Sequence, residues 1–202
     1  MSTPSHGGVI AATLSFVCLA LVACASTELT SSWTSPDYNG PALKKLLVMG
    51  VSNQPSLRRT FEDGLVEELK GAGVDAVASY NFIPGGGQAE ESRVSQAVKD
   101  ASADGVLITR LVRVDVKVIP TSAPRMGIGY YGGYAMAYGS VYDSTMADRA
   151  DTIVLETTLY GVDPGHLLWS GTTQTFDPKS IKQEMPGFAK IIIGALQTHK
   201  LV

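Results

Sequence analysis

Apolar positions from residue 44 onward follow two periods, one typical of strands and one typical of helices. A continuous apolar run over Lys44–Val51 predicts a strand that is buried on both faces. The next segment has an apolar residue at every fourth position, which predicts a helix that begins at Pro55 and ends at Gly71–Gly73. The apolar stripe of this helix consists of Leu57, Phe61, Leu65, Val66 and Leu69.

The rest of the chain continues this alternation of strands and helices. A D-P-G turn over residues 162–166 separates two apolar runs and predicts a hairpin. Pro186 is poorly tolerated inside a helix, so the last helix is predicted to begin near Glu184. The other predicted elements are a helix over Glu90–Ala103 and strands over Val74–Ile83, Val106–Ile119, Ile153–Gly161 and Leu167–Phe176.

The order β-α-β-α-β-β-β-α predicts an α/β fold with a mixed sheet flanked by helices. The first half gives right-handed crossovers between parallel strands, and the second half adds an antiparallel hairpin. A Tyr/Gly-rich insertion or hairpin loop occupies residues 120–150. Residues 44–202 are therefore predicted to form a single domain.

The chain begins with an apolar leader that ends in a cysteine. Val9–Ala23 is too short to span a bilayer and matches the core of a signal peptide, although the preceding residues contain no Lys or Arg. Leu21-Val22-Ala23-Cys24 has the form of a lipobox, which predicts a signal peptide over residues 1–23 and lipidation of Cys24. An ordinary signal peptide cut near Ala23 or Ala25, and an uncleaved anchor, are the alternatives.

The leader also predicts where the protein resides. Residue 25 is alanine and not aspartate, which favours the periplasmic face of the bacterial outer membrane. Residues 24–43, rich in Ser, Thr, Asn, Gly and Pro, are predicted to be the lipid anchor and a flexible tether.

Composition narrows the chemistry. Both cysteines, Cys18 and Cys24, fall in the first two dozen residues, so the rest of the chain offers no thiol for a disulfide, a zinc site or a nucleophile. His166 and His199 are far apart in sequence and suggest neither a triad nor a metal site. The net charge of −3, with no basic run, argues against a nucleic-acid partner, and no cofactor is predicted.

Several segments carry a resemblance to known envelope proteins. They are the strand Lys44–Val51, the Arg58–Asp63 helix, Gly73–Val77, Ala103–Leu107 and Leu159–Gly171. The chain resembles an uncharacterised proteobacterial outer-membrane lipoprotein family, and its layout is similar to the TolB amino-terminal domain and the curli-secretion lipoprotein group. The resemblance implies a fold and an envelope location, and it supplies no catalytic residues.

The most distinctive stretch is rich in tyrosine and glycine. Its tyrosines at even positions are Tyr130, Tyr134, Tyr138 and Tyr142. A period of two would place them on one face of an extended ribbon that contacts a membrane, a partner strand or another copy. The alternative is a mobile loop, because glycine weakens strands.

A second candidate is the crevice where the first strand meets the first helix, formed by Ser52, Asn53, Arg58 and Arg59. This edge of an open α/β sheet commonly binds ligands, and two arginines in the first turns of a helix favour an anion nearby. Alternatively, Arg58 and Arg59 form exposed pairs with Glu62 and Asp63, four residues on.

Together these features predict a membrane-anchored envelope lipoprotein that acts as a non-enzymatic binding, scaffold or accessory module. Its predicted partners are the membrane, through the lipid, and another envelope protein, with further copies of the chain as an additional possibility. One alternative is an oligomeric secretion or pore component that assembles through the Tyr/Gly stretch. A second alternative is a small-molecule or anion binder, or a hydrolase, at the Ser52–Arg59 crevice.

Overall fold

The computed structural model describes residues 27–114, 129–138, 152–163, 165–176 and 180–202. The lipobox, including Cys24, lies outside them. The six strands are β1 Thr27–Thr34, β2 Lys45–Val51, β3 Asp75–Ala78, β4 Gly105–Val114, β5 Thr152–Gly161 and β6 Leu167–Phe176. The four helices are α1 Pro55–Gly71, α2 Glu91–Asp100, α3 Tyr130–Tyr138 and α4 Ile181–Thr198.

The strands form one mixed sheet in the order β1-β6-β5-β4-β2-β3. β2 runs parallel to β3 and β4, while the remaining neighbours are antiparallel. The α/β fold with a mixed sheet is therefore confirmed. The predicted hairpin between β5 and β6 is also present, and Gly165 in its turn has a φ of 85°, which glycine adopts without strain.

Helices cover the sheet on two sides. One apolar cluster joins α1 and α4 to the face that carries Leu46, Leu107 and Trp169. The other cluster joins α2 and α3 to the opposite face, with Leu47 and Ile108. The double-sided burial predicted for β2 follows from these two layers, because successive strand residues point to opposite faces.

The prediction of a flexible tether over residues 24–43 is wrong over Thr27–Thr34. β1 pairs antiparallel with β6, from Thr27 opposite Thr175 to Thr34 opposite Trp169. Leu29 packs against one apolar cluster and Trp33 against the other. The folded domain therefore includes Thr27–Thr34 and does not begin at residue 44.

Two element boundaries, the end of β3 and the start of α4, differ from the predicted ones for a clear local reason. β3 ends at Ala78, because Ser79–Asn81 forms a 3-10 turn that the predicted strand Val74–Ile83 did not include. α4 begins at Ile181, where Ser180 caps it by accepting a hydrogen bond from the Gln183 amide. Pro186 lies inside this helix, near its amino-terminal end. Because proline has no backbone N–H, one hydrogen bond is missing there, and the helix continues to Thr198. The predicted start near Glu184 is wrong.

Candidate functional site

The predicted pair of Arg58 and Glu62 is present, but it is buried. Arg58 Nε lies 2.8 Å from Glu62 Oε1, and the two side chains are 2% and 0% exposed. The spacing of four residues on α1 brings the groups together. The predicted pairing of Arg58 with Glu62 is therefore confirmed, and the prediction that this pair is exposed is wrong.

Both charges are satisfied by hydrogen bonds inside the protein. The Arg58 guanidinium also donates to the carbonyls of Ile83 and Gly85, each at 3.0 Å, and to Ser79 Oγ at 2.7 Å. The Glu62 carboxylate accepts from the amide of Gly50 at 2.9 Å and from Ser79 Oγ at 2.8 Å. It also accepts from the Tyr80 amide at 2.9 Å.

This network, the Arg58–Glu62 clasp, connects α1 to β2, to the 3-10 turn and to the loop after it. Arg58 points into the protein and is held there by internal acceptors, so an external anion would have to displace them. The clasp therefore accounts for an arginine at position 58, in the first turns of α1, without a bound anion.

Arg59 lies on the outside of the same helix. Its guanidinium carbon sits 5.5 Å from the centre of the Tyr80 ring, a cation–π arrangement. The Tyr80 hydroxyl donates to Asp63 Oδ1 at 2.5 Å, and this hydrogen bond raises the pKa of the Tyr80 phenol. Tyr80 thus contacts both Arg59 and Asp63, in place of the predicted direct pair.

The crevice at the end of β2 is closed by the protein's own loop. Ser52 is 9% exposed, and its Oγ accepts from the Gln54 amide at 3.1 Å in the turn that leads into α1. Gly86 approaches so closely that a Cβ placed there would lie 2.7 Å from the Asn53 carbonyl oxygen. Asn53 therefore contacts the glycine-rich loop, and Ser52 belongs to the turn before α1.

The Tyr/Gly stretch is helical where it is described. Residues 130–138 form α3, so both the extended ribbon and the mobile loop are wrong for this segment. Tyr130, Tyr134 and Tyr138 are four residues apart, and this spacing fits one side of a helix as well as it fits a period of two. Tyr142 lies outside the described residues.

The tyrosines of α3 face the protein interior. Tyr134 is 1% exposed, and its hydroxyl accepts from the Ala89 amide at 3.0 Å. The Tyr130 hydroxyl donates to Ser95 Oγ on α2 at 3.0 Å. The Tyr138 ring packs edge-on against Tyr134 with their centres 5.0 Å apart, and burial raises the pKa of the Tyr138 phenol.

A glycine allows this helix to approach the sheet. A Cβ at Gly133 would collide with the Tyr160 hydroxyl of β5. The two regions singled out from the sequence also meet at one loop, because the clasp holds the carbonyl of Gly85 and Tyr134 holds the amide of Ala89. Both regions therefore stabilise the loop over residues 83–90.

Three surface features were not predicted from the sequence. Among the strands that the structure describes, β1 lies at the edge of the sheet, with β6 as its neighbour. An open groove of about 750 Å³ separates β1 from α4, and its lining includes Thr27, Leu29, Lys190 and Ile191. Phe176, at the end of β6, is 39% exposed. The Ser/Thr-rich composition of residues 26–34 concealed the strand that creates the first two features.

In the ranges that the structure describes, no helix combines the length and apolar character needed to cross a membrane. The same ranges contain no cluster of three or more His, Cys, Asp or Glu side chains suited to a metal ion.

Comparison with known proteins gives likeness at the level of solved structures. No family model and no curated protein matches the sequence. The chain is similar to the PelC dodecamer from Paraburkholderia phytofirmans, with 12% identity, a TM-score of 0.44 and coverage of 82% of this chain and 94% of PelC. It is also similar to a PDZ domain protein from Parabacteroides distasonis, with 9% identity, a TM-score of 0.41 and coverage of 86% of this chain and 37% of the other.

Proposed function

We propose that this chain is a lipid-anchored protein of the bacterial envelope, held at the periplasmic face of the outer membrane, whose α/β domain is a non-enzymatic binding or scaffold module. The observation that carries the proposal is the position of β1. Residues 27–34 belong to the sheet, so a cleavage that leaves the domain intact lies before Thr27. The lipobox cysteine, Cys24, stands at this boundary.

The binding role rests on how the side chains are used. Arg58 and Glu62, the buried charges nearest the predicted crevice, are committed to the clasp. Tyr134 and its neighbours on α3 serve the protein's own packing. We therefore place the partner contacts on the outer surface of the domain, and the partner is another component of the envelope.

Replacing Cys24 by serine tests the anchor. We expect the full chain, expressed in a Gram-negative host, to incorporate radioactive palmitate and to fractionate with the outer membrane. Cys24→Ser should lose the label and leave that fraction, because serine has no thiol to carry the lipid. Cys18→Ser is the matched control, since it changes the other cysteine and should keep both properties. A Cys24→Ser protein that still labels and still fractionates with outer membranes would refute the proposal.

Self-association is a second candidate function, and the position of β1 at the edge of the described sheet favours it. The strand has eight residues, contains no proline and carries one charged residue, Glu28. Proteins usually protect such an edge with charges, proline or a covering segment, because its unpaired backbone groups can pair with another strand. This edge takes the place of the Tyr/Gly stretch as the assembly surface, since the tyrosines of α3 face inward.

A lysine on the edge strand tests this candidate. We expect Ser32→Lys to remove dimers and larger species in chemical crosslinking and in light scattering, because a charge on an edge opposes pairing. Ser92→Lys, on the exposed side of α2, adds the same charge away from the edge and should leave the pattern unchanged. If the crosslinked species of Ser32→Lys match those of the unaltered protein, β1 is not the contact surface.

A further inference from the structure

We infer that the domain rests on the bilayer by one end of its sheet, with Phe176 in the interfacial layer of the membrane. This end, the anchor end, is formed by the start of β1 at Thr27, the end of β6 at Phe176 and the start of β5 at Thr152. The inference rests on the proposed lipidation of Cys24, and it adds an orientation and a membrane-contacting residue.

The chain between the lipid and the sheet is short. Cys24 precedes Thr27 by three residues. Three residues span at most about 11 Å, whatever their conformation. A tether over residues 24–43 would have allowed the domain to stand well away from the membrane. With β1 beginning at Thr27, the start of this strand is confined to the neighbourhood of the lipid headgroups.

Phe176 lies close to the start of β1. Thr27 pairs with Thr175, so Phe176 is the next residue along β6 from the partner of Thr27. Adjacent strands lie about 5 Å apart and consecutive residues about 3.3 Å apart, so the Phe176 backbone lies within about 10 Å of Thr27. Phe176 is the exposed large hydrophobic residue among those that the structure describes, at 39%. An exposed aromatic ring beside a lipid attachment point fits the interfacial layer of a bilayer.

The anchor end is better suited to contact the bilayer than the side of the domain next to β1. The side next to β1 presents the free backbone groups of an edge strand, and these require water or another strand. Its outward residues include Thr30, Ser31 and Ser32, which are polar and exposed. Contact by the anchor end leaves that edge hydrated and brings the apolar ring to the lipid. The nearby Glu28 carboxylate remains in the headgroup layer, which limits insertion to the ring.

Fluorescence quenching by brominated lipid tests the orientation. The full chain, purified from bacterial membranes in its lipidated form, is reconstituted in phosphatidylethanolamine–phosphatidylglycerol vesicles with bromine near the top of the acyl chains. Phe176→Trp places a reporter at the anchor end, and Thr152→Trp, paired with Phe176 in the sheet, is a second probe there. His166→Trp is the matched control, because it precedes the opposite end of the same strand, about 33 Å away.

We expect little quenching of the native tryptophans by the brominated lipid. Trp169 is fully buried, and Trp33 lies six residues along β1 from Thr27, a distance of about 20 Å. We expect Phe176→Trp to lose at least about twice as much fluorescence as His166→Trp, because quenching by a bromine atom requires near contact. Thr152→Trp should give an intermediate loss.

The outcomes separate this inference from the proposed function. A lipidated protein in which both probes of the anchor end are quenched no more than His166→Trp would overturn the orientation and leave the anchor intact. Strong quenching of Trp33 in the unaltered protein would also overturn it, because it would show contact along β1. An intact mass without lipid on Cys24 would overturn the proposed function, and the orientation with it.

Discussion

Replacing Arg58 by methionine is expected to lower the free energy of unfolding by about 3–5 kcal/mol, the usual loss when one partner of a buried ion pair is removed. Glu62 is 0% exposed, and without the guanidinium its charge would remain in the interior with neutral donors alone. The loop carbonyls of Ile83 and Gly85 would also lose their donor. Urea unfolding followed by the fluorescence of the buried Trp169 measures the change.

The neighbouring arginine is the control. Arg59→Met removes the same charge from the exposed side of α1 and should cost less than about 1 kcal/mol, the range of an exposed ion pair or cation–π contact. The double change Arg58→Met with Glu62→Leu should recover part of the loss, because it removes both buried charges. Equal costs for Arg58→Met and Arg59→Met would contradict the clasp.

The regular part of the fold could be predicted because its signal is local. β2 and α1 lie within a few residues of their predicted bounds, since a continuous apolar run and a four-residue apolar spacing each specify one burial pattern. β1 gave no such signal. As an edge strand it packs through few side chains, chiefly Leu29 and Trp33, and its threonines and serines are equally common in tethers.

The candidate site required information that a local pattern does not contain. The spacing of Arg58 and Glu62 predicted their pairing, but their burial depends on Ser79 and Gly85, which lie 21 and 27 residues beyond Arg58. Such contacts arise from the crossover between β2 and β3 and are invisible to helix periodicity. The prediction for the tyrosines was wrong for a different reason. A four-residue spacing fits both a strand and a helix, and the surrounding glycines favoured an extended segment or a loop over a helix.

Removing the Tyr134 side chain is expected to detach α3 from the domain. The helix has nine residues, two of them glycine, and a helix of this length is not stable alone in water. Its docking therefore depends on buried contacts, and Tyr134 is its fully buried aromatic residue among those described. A loss of about 3 kcal/mol, at the lower end for truncating a buried aromatic residue, would raise the detached population by more than about a hundredfold.

Limited proteolysis with chymotrypsin measures this population, because cleavage follows the open state when opening and closing are fast. Cleavage after Tyr130, Tyr131 or Tyr138, mapped by mass spectrometry, should accelerate by about a hundredfold in Tyr134→Ala. Tyr134→Phe isolates the hydrogen bond to the Ala89 amide and should accelerate it by about fivefold, in keeping with about 1 kcal/mol for one such bond.

The matched control is Tyr130→Ala, which truncates a half-buried tyrosine of the same helix. Less apolar area is lost there, so cleavage should accelerate less than in Tyr134→Ala. If the two alanine variants are cleaved equally fast, Tyr134 is not the residue that holds α3. If neither differs from the unaltered protein, the side chains of Tyr130 and Tyr134 do not hold α3 against the domain.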